Sequence, residues 1–269
     1  MSKKLLIPLI IVLALILVAG SVFFIIKGKN TAPAAATKRP PINEPVNVID
    51  LVERPYITLT PRTDGRELTF YVANLPKIAS DMEYELEYQA GTLLQGAFGS
   101  IDFAAEKPPV SKKILLGSCS AGGACSFHED VQGGTITMQF RGQPNYGLKD
   151  EWRFLPTKGA KGKFASRDSK FQVSAAKVLD NSAFLIIMQT SGLPAAAPGQ
   201  VLAGPYGIYP SSGLPSKGEL DLTMRLSADS DTATIYGFDG GNWVKFDTKV
   251  ADKEATATVD PLELFIAVK

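Results

Sequence analysis

The chain has 269 residues, of which 28 are basic and 27 acidic, and its formal net charge is +1. Hydrophobic residues make up 45% of the chain and aromatic residues 9%, which provides for a core and excludes a fully disordered protein. The two Cys and one His exclude a zinc site built from about four Cys and His ligands. No cofactor or metal is expected from the sequence.

The first 26 residues predict a membrane anchor. A four-residue basic tail (1–4) precedes the uncharged run LLIPLIIVLALILVAGSVFFII at Leu5–Ile26. As a helix this run is about 33 Å long, enough for the hydrocarbon core of about 30 Å. The sequence therefore predicts a cytoplasmic tail followed by a transmembrane signal anchor.

A cleaved signal peptide is the alternative interpretation. Ala19 and Gly20 are small enough for a peptidase site, but the apolar run continues to Ile26 and exceeds the usual length of about 7–15 residues. Lysines flank both ends, so the positive-inside count is nearly balanced. The basic head before the run and the closely spaced Cys pair favour an extracytoplasmic C-terminal part of a single-pass cell-membrane protein.

The segment 27–47 is rich in Pro, Ala and charged residues and is predicted to be a linker. Residues 1–30 contain four Lys and no acidic residue, so 24 basic and 27 acidic residues remain, a net charge of −3. A weakly acidic ectodomain gives no electrostatic basis for binding nucleic acid.

The segment 48–156 is predicted to be a first antiparallel β-sandwich. In the stretch 82–88, MEYELEY, acidic and apolar residues alternate as in a strand with one face in water. Further strands, separated by Gly and Pro turns, are expected at 56–60, 67–74, 135–140 and 151–155. This spacing is typical of an Ig-like sandwich.

The polar and basic segment 157–169 is predicted to link the first sandwich to a second one at 170–269. Strands at 171–179 and 183–190 are expected to form a hairpin about 180–182, followed by a long loop at 192–207. The continuous apolar run FLIIM at 184–188 predicts a central strand buried on both faces. Later strands are expected at 219–226, 232–237, 242–246, 255–259 and 265–268. The fold class is thus all-β, with two tandem antiparallel sandwiches after one transmembrane helix.

Part of the second half resembles a known family. The stretches GPYGIYPSSG, ELDLTMRL, ATIYGFDGGNWVKF and ATATVDPLELFIAV within 204–268 are similar to the C-terminal half of ZU5-like β-sandwich modules. Many relatives have a His-Phe pair near the last strand, whereas this chain has Asp260-Pro261-Leu262 there. The resemblance implies a fold and a cell-surface context and no chemistry.

Cys119 and Cys125 enclose Ser-Ala-Gly-Gly-Ala, and the two glycines can reverse the chain between them. A structural disulfide is expected, with reactive thiols as the alternative. His128-Glu129-Asp130 and the acidic residues Asp229, Asp231 and Asp239 are candidate metal or catalytic groups, but neither set has a recognised spacing. An exposed strand end and an ordinary turn are the expected structures.

Four aromatic residues are candidates for a sugar- or peptide-binding surface, and filling of the core is their alternative role. They are Tyr84, Tyr88, Tyr146 and Trp152. No catalytic motif is found, so the protein is not expected to be an enzyme. The sequence predicts a non-catalytic role in surface adhesion, ligand binding or envelope spacing, with an envelope protein or polysaccharide as partner. The alternative is an accessory subunit that docks a partner protein by strand addition.

Overall fold

The computed structural model describes residues 43–175 and 178–269, which belong to one compact unit, Ile42–Lys269. The tail, the anchor and most of the linker predicted above lie outside the described residues. Within the described part the structure is all-β, as predicted, and its only helical element is a single 3₁₀ turn at Leu51–Glu53.

The strands are numbered in chain order. They are β1 (Ile57–Pro61), β2 (Glu67–Val72), β3 (Ala79–Ala90), β4 (Leu93–Asp102), β5 (Val110–Leu115), β6 (Gly117–Cys119), β7 (Cys125–Phe127), β8 (Val131–Gly142), β9 (Tyr146–Pro156), β10 (Lys163–Ala165), β11 (Phe171–Ser174), β12 (Phe184–Gln189), β13 (Val201–Pro210), β14 (Leu220–Arg225), β15 (Thr234–Phe238), β16 (Trp243–Lys245), β17 (Lys249–Ala251), β18 (Glu254–Val259) and β19 (Leu264–Val268).

Nine of these strands form one antiparallel sheet, here called the large sheet, in the order β16-β15-β19-β13-β12-β9-β8-β3-β4. A three-stranded sheet has the order β1-β2-β5, and a five-stranded sheet has the order β10-β11-β14-β18-β17. The strands β6 and β7 form a separate short hairpin. The chain therefore builds antiparallel layers that pack face to face, consistent with a β-sandwich.

Two cores separate these layers. The first core contains side chains of the three-stranded sheet such as Phe70 together with Leu86 and Trp152 of the large sheet. The second core contains side chains of the five-stranded sheet such as Leu222 together with Ile208 and Phe265 of the large sheet. Burial of these apolar faces is the main stabilising contribution to such a fold.

The strand β12 belongs to both cores. Ile186 and Met188 point into the first core, whereas Leu185 and Ile187 point into the second. The three-stranded and five-stranded sheets therefore cover opposite faces of the large sheet at this strand. The prediction that the FLIIM run is a central strand buried on both faces is confirmed.

The structure differs from the predicted division at 157–169. The last strand before that segment, β9, pairs directly with β12 beyond it, so the large sheet continues through both halves. The segment itself contains β10, and Phe164 of that strand is buried in the second core. The polar composition of 157–169 reflects loops on either side of a short edge strand and does not mark a linker between separate sandwiches.

The predicted hairpin about 180–182 is also replaced by other pairings. β11 pairs with β10 and β14 in the five-stranded sheet, while β12 pairs with β9 and β13 in the large sheet. The chain between them crosses from one sheet to the other. Local turn residues are compatible with either connection, and the long-range partners decide between them.

The C-terminal strand β19 lies between β13 and β15, with all five residues buried. Phe265 packs in the second core, while Ile266 and Val268 form a small cluster on the opposite face, against which Trp243 packs. The strand predicted at 265–268 is present, and it is buried on both faces. Trp243 contributes to that small cluster and not to the second core.

The end of the predicted linker is fixed to the large sheet. The backbone N–H of Glu44 donates to Oε1 of Gln139 at 3.1 Å, and that of Asn47 donates to the carbonyl of Gly147 at 2.9 Å. The side chain of Asn47 also bonds to the backbone of Lys149. The chain therefore enters the compact unit across β8 and β9.

Candidate functional site

The longest free edge in the described part of the chain is β4, which closes one end of the large sheet. Each of its residues from Leu93 to Asp102 is paired with a residue of β3. Within residues 43–175 and 178–269 no strand pairs with its other side. About half of its backbone N–H and C=O groups therefore face outward without a strand partner.

The other edge strands of the three larger sheets are shorter than β4 and carry residues that hinder pairing with another chain. These residues are Pro61 in β1, Lys112 and Lys113 in β5, Lys163 in β10, Lys245 in β16 and Lys249 in β17. Lysine and proline are common means of protecting a sheet edge. The strand β4 has no Lys, Arg or Pro, and its one charged residue is Asp102 at the end.

The strand β4 exposes large apolar side chains where a strand in water usually carries polar ones. On its outer face Leu94 is 68% exposed and Phe98 is 89% exposed, and on the opposite face Leu93 is 62% exposed. Phe98 borders a shallow surface cleft of about 720 Å³ between β3, β4 and β8. An exposed Phe beside an unpaired edge supplies apolar contact area to a strand that would pair there.

Small residues flank Phe98 on the outer face of β4. Gly96 and Ser100 lie two positions to either side of it and therefore on the same face. A Cβ atom added to Gly96 would meet only the backbone oxygen of Leu86, at 3.7 Å. The glycine therefore leaves open space beside the edge.

A row of acidic side chains lies behind this space on β3. Glu83, Glu85 and Glu87 pair across the ladder with Ser100, Phe98 and Gly96, respectively. Glu83 forms an ion pair with Arg141 at 2.6 Å. In the described part of the chain, Glu85 and Glu87 form no ion pair.

The inner face of β4 is held close to the core. A Cβ atom at Gly99 would overlap the hydroxyl end of Tyr84, whose ring packs against Phe70 with centroids 4.9 Å apart. The absence of a side chain at position 99 lets Tyr84 fill this space. The edge strand therefore packs closely against the first core.

The predicted aromatic binding surface is not present as a surface. Tyr84, Tyr88, Tyr146 and Trp152 are between 0% and 9% exposed, and all four belong to the first core. Their strands place them on the inward face, so these residues fill the core, which was their alternative role. Burial raises the pKa of Tyr84, Tyr88 and Tyr146 above the usual value of a phenol.

Cys119 and Cys125 form a disulfide between the last residue of β6 and the first residue of β7. The two residues are directly opposite in the hairpin, and their Cα atoms are 4.0 Å apart. Both lie at an exposed tip, and the bond closes the turn that contains the two glycines.

The single histidine contacts a core residue. Nδ1 of His128 lies 2.8 Å from the hydroxyl oxygen of Tyr88, within hydrogen-bond distance. Asp239 accepts hydrogen bonds from the backbone N–H groups of Gly241 and Asn242, which lowers the pKa of its carboxyl. Among the described residues no three His, Cys, Asp or Glu side chains lie close enough to hold a metal ion.

A buried polar cluster that the sequence did not predict lies on the core-facing side of β9. Asp150 of β9 is 4% exposed, and its carboxylate accepts a hydrogen bond from the hydroxyl of Ser191 at 2.5 Å. Burial raises the pKa of Asp150 to about 7, an effect opposed by Ser191 and by the charge of Arg54. Because Ser191 is only 1% exposed, this pair is closed to a substrate and has a structural role.

The sequence contains one signal for β4 that the predicted strands do not include. In LLQGAFGSID the larger apolar residues Leu94 and Phe98 are on the same face as small residues, with no Lys or Pro between them. Four small residues and one Gln obscure the period-two alternation that identifies β3.

No helix in residues 43–175 and 178–269 is long and apolar enough to cross a membrane. The predicted anchor, Leu5–Ile26, lies outside these residues. No family model, no curated protein and no solved structure matches the chain. The similarity of 204–268 to ZU5-like modules therefore stays a prediction.

Proposed function

We propose that this protein is a non-catalytic, membrane-anchored docking subunit that binds an extended segment of a partner protein at the edge of β4. The observation that carries the proposal is the contrast between β4 and the other edge strands. It is the longest of them, and it has neither Lys nor Pro to hinder pairing. A partner strand would extend the large sheet by one strand.

Backbone and side chains contribute differently to the free energy of binding at this edge. Each new backbone hydrogen bond contributes a net of about 0.5–1.5 kcal/mol. Association costs about 4–15 kcal/mol in lost freedom, so the backbone bonds of one strand roughly offset this cost. The exposed Leu94 and Phe98 then supply the additional contact that makes the complex stable.

The anchor is part of the same proposal. The uncharged run Leu5–Ile26 is long enough to span the bilayer, and the segment 27–47 separates it from the compact unit. The disulfide between Cys119 and Cys125 favours an oxidising, extracytoplasmic location. Full-length protein should remain with the membrane during carbonate extraction.

Polysaccharide binding receives less support. The aromatic residues that the sequence offered for it are buried. A protein segment, by contrast, can use the backbone groups of β4 directly.

The test is site-directed photocrosslinking in native membranes, with a photoreactive phenylalanine analogue in place of Phe98 of the full chain. A partner that docks by strand addition should be crosslinked through an extended segment. Hydrogen–deuterium exchange of the complex should show slowed exchange of the amides in Leu93–Asp102.

Two variants make this test specific. The double variant Leu94→Lys/Phe98→Lys places two charges on the edge and should weaken the complex at least tenfold. The control is Val48→Lys, at an apolar residue that is 72% exposed away from β4, and it should leave binding unchanged. The proposal would be contradicted if the double variant bound the partner as tightly as the wild type does. It would also be contradicted if amide hydrogen exchange in β4 were the same with and without the partner.

A further inference from the structure

We propose that the segment accepted by β4 is basic: it carries a Lys or Arg opposite Gly96 and an apolar residue opposite Phe98. This inference rests on the proposed function and specifies the chemistry of the partner at that edge. It follows from the acidic row on β3, the gap at Gly96 and the exposed ring of Phe98.

The positions of the acidic residues define where the positive charge is needed. Glu87 lies directly across the ladder from Gly96, and Glu85 lies across from Phe98, one outward-facing position away. Both are on the outer face, and no ion pair within the described residues neutralises either of them. Two like charges about 7 Å apart on one strand favour an added cation between them.

A side chain from an added strand can reach these carboxylates. Strands in a sheet are about 4.8 Å apart, so the added strand would lie about 10 Å from β3, with β4 between them. Gly96 has no side chain to block the path from the edge to Glu87. A Lys or Arg stem can lie along this gap with its charged end at the glutamates.

The nearby cations in the described part of the chain do not already fill this role. Arg141 is held by Asp81 and Glu83, with N–O distances of 3.0 and 2.6 Å. Lys149 is on β9 and faces Thr137 of β8, so that strand separates it from Glu85. The outer face beside β4 therefore carries an excess of negative charge.

The apolar position follows from Phe98. Its ring is 89% exposed in the middle of β4, and a directly opposite side chain on an added strand would lie about 4.5–5.5 Å away between Cβ atoms. An aliphatic or aromatic residue there would cover the ring. Since Gly96 and Phe98 are two residues apart, the partner would show a basic and an apolar residue with one residue between them.

The experiment measures binding of short synthetic peptides to the full chain in detergent micelles by fluorescence anisotropy at low and high salt. In the first peptide every second residue is Thr, and the residues between are Lys, Val and Lys. When the peptide pairs with β4, these three side chains lie on the same face as Gly96 and Phe98. The second has Glu in place of Lys. The third is the first peptide with alternate backbone nitrogens methylated, which removes its capacity to pair as a strand.

The Lys peptide should bind at least tenfold more tightly than the Glu peptide, and its affinity should fall as salt is raised. The double variant Glu85→Gln/Glu87→Gln should bind the Lys peptide about three- to tenfold more weakly, as expected for the loss of two exposed ion pairs. The control Glu219→Gln/Glu254→Gln removes two exposed acids elsewhere and should have no effect. The fold can accommodate Gly96→Val, and this variant should weaken binding of the Lys peptide because the added side chain closes the gap.

The possible results separate this inference from the proposed function. Equal binding of the Lys and Glu peptides, with both lost on methylation, would overturn the basic partner while leaving strand addition intact. Undiminished binding of the methylated peptide would overturn strand addition and this inference with it. No binding of the Lys peptide, or self-association of the chain that Phe98→Lys abolishes, would likewise overturn the basic partner.

Discussion

Asp150 shows how a single residue can make the stability of this fold depend on pH. Its carboxyl lies on the core-facing side of β9, between Leu148 and Trp152, and burial raises its pKa to about 7, well above the value of about 3.9 for an unfolded chain. Between these two values the folded chain keeps a proton that the unfolded chain has lost. Stability therefore falls as pH rises from about 4 to 7, and the loss is complete above the folded pKa.

The variant Asp150→Asn should remove this dependence, because an amide keeps a hydrogen-bonding oxygen for Ser191 without acquiring a charge. We expect the variant to gain stability relative to the wild type as pH rises from 5 to 8, by a few kcal/mol. Chemical denaturation at several pH values measures the effect. Asp180→Asn, at an exposed site, is the control, and parallel pH profiles for Asp150→Asn and wild type would contradict the prediction.

The strands of the large sheet differ in how clearly the sequence shows them. The alternation of MEYELEY identifies β3, and the apolar run FLIIM identifies β12, because side-chain pattern and burial agree there. β4 was missed because Gly96, Gly99 and Ser100 obscure the alternation. The candidate site is therefore visible only once pairing shows that β4 has no neighbour on one side, which local sequence does not determine.

The glycines of the large sheet give a matched test of how closely its strands pack. A Cβ atom at Gly134 of β8 would overlap the backbone oxygen of Glu87, whereas one at Gly96 has open space. Gly134→Ala should therefore destabilise the fold by about 2–4 kcal/mol. Gly96→Ala should be neutral or stabilise by up to about 1 kcal/mol, because glycine weakens a strand interior. Similar denaturation midpoints for the two variants would argue against the described register.

The compact unit, Ile42–Lys269, is organised by a strand that both cores share. Because β12 contributes Ile186 and Met188 to one core and Leu185 and Ile187 to the other, loss of either core removes support from the same strand. Two separate sandwiches would have unfolded independently. The continuous large sheet instead couples the two halves.

We therefore expect one cooperative thermal transition, with equal calorimetric and van't Hoff enthalpies. Leu68→Ala in the first core and Leu222→Ala in the second should each cost about 2–5 kcal/mol and lower this same transition. Differential scanning calorimetry of the full chain in detergent measures both effects. Two transitions, each shifted by only one of the variants, would show that the halves unfold separately.

The pairing of β9 with β12 also determines what becomes of the chain if it is cut between them. A fragment that ends at 157 would lose Ile186 and Met188 from its core and expose β9 as a new edge with Trp152 and Phe154 beside it. A fragment that begins at 170 would expose β12, an uncharged apolar strand without Pro. Such strands nucleate aggregation when they are unpaired. Proteolytic cleavage between β9 and β12 would therefore be tolerated only while the two pieces remained paired, and their separation would commit both to insoluble material.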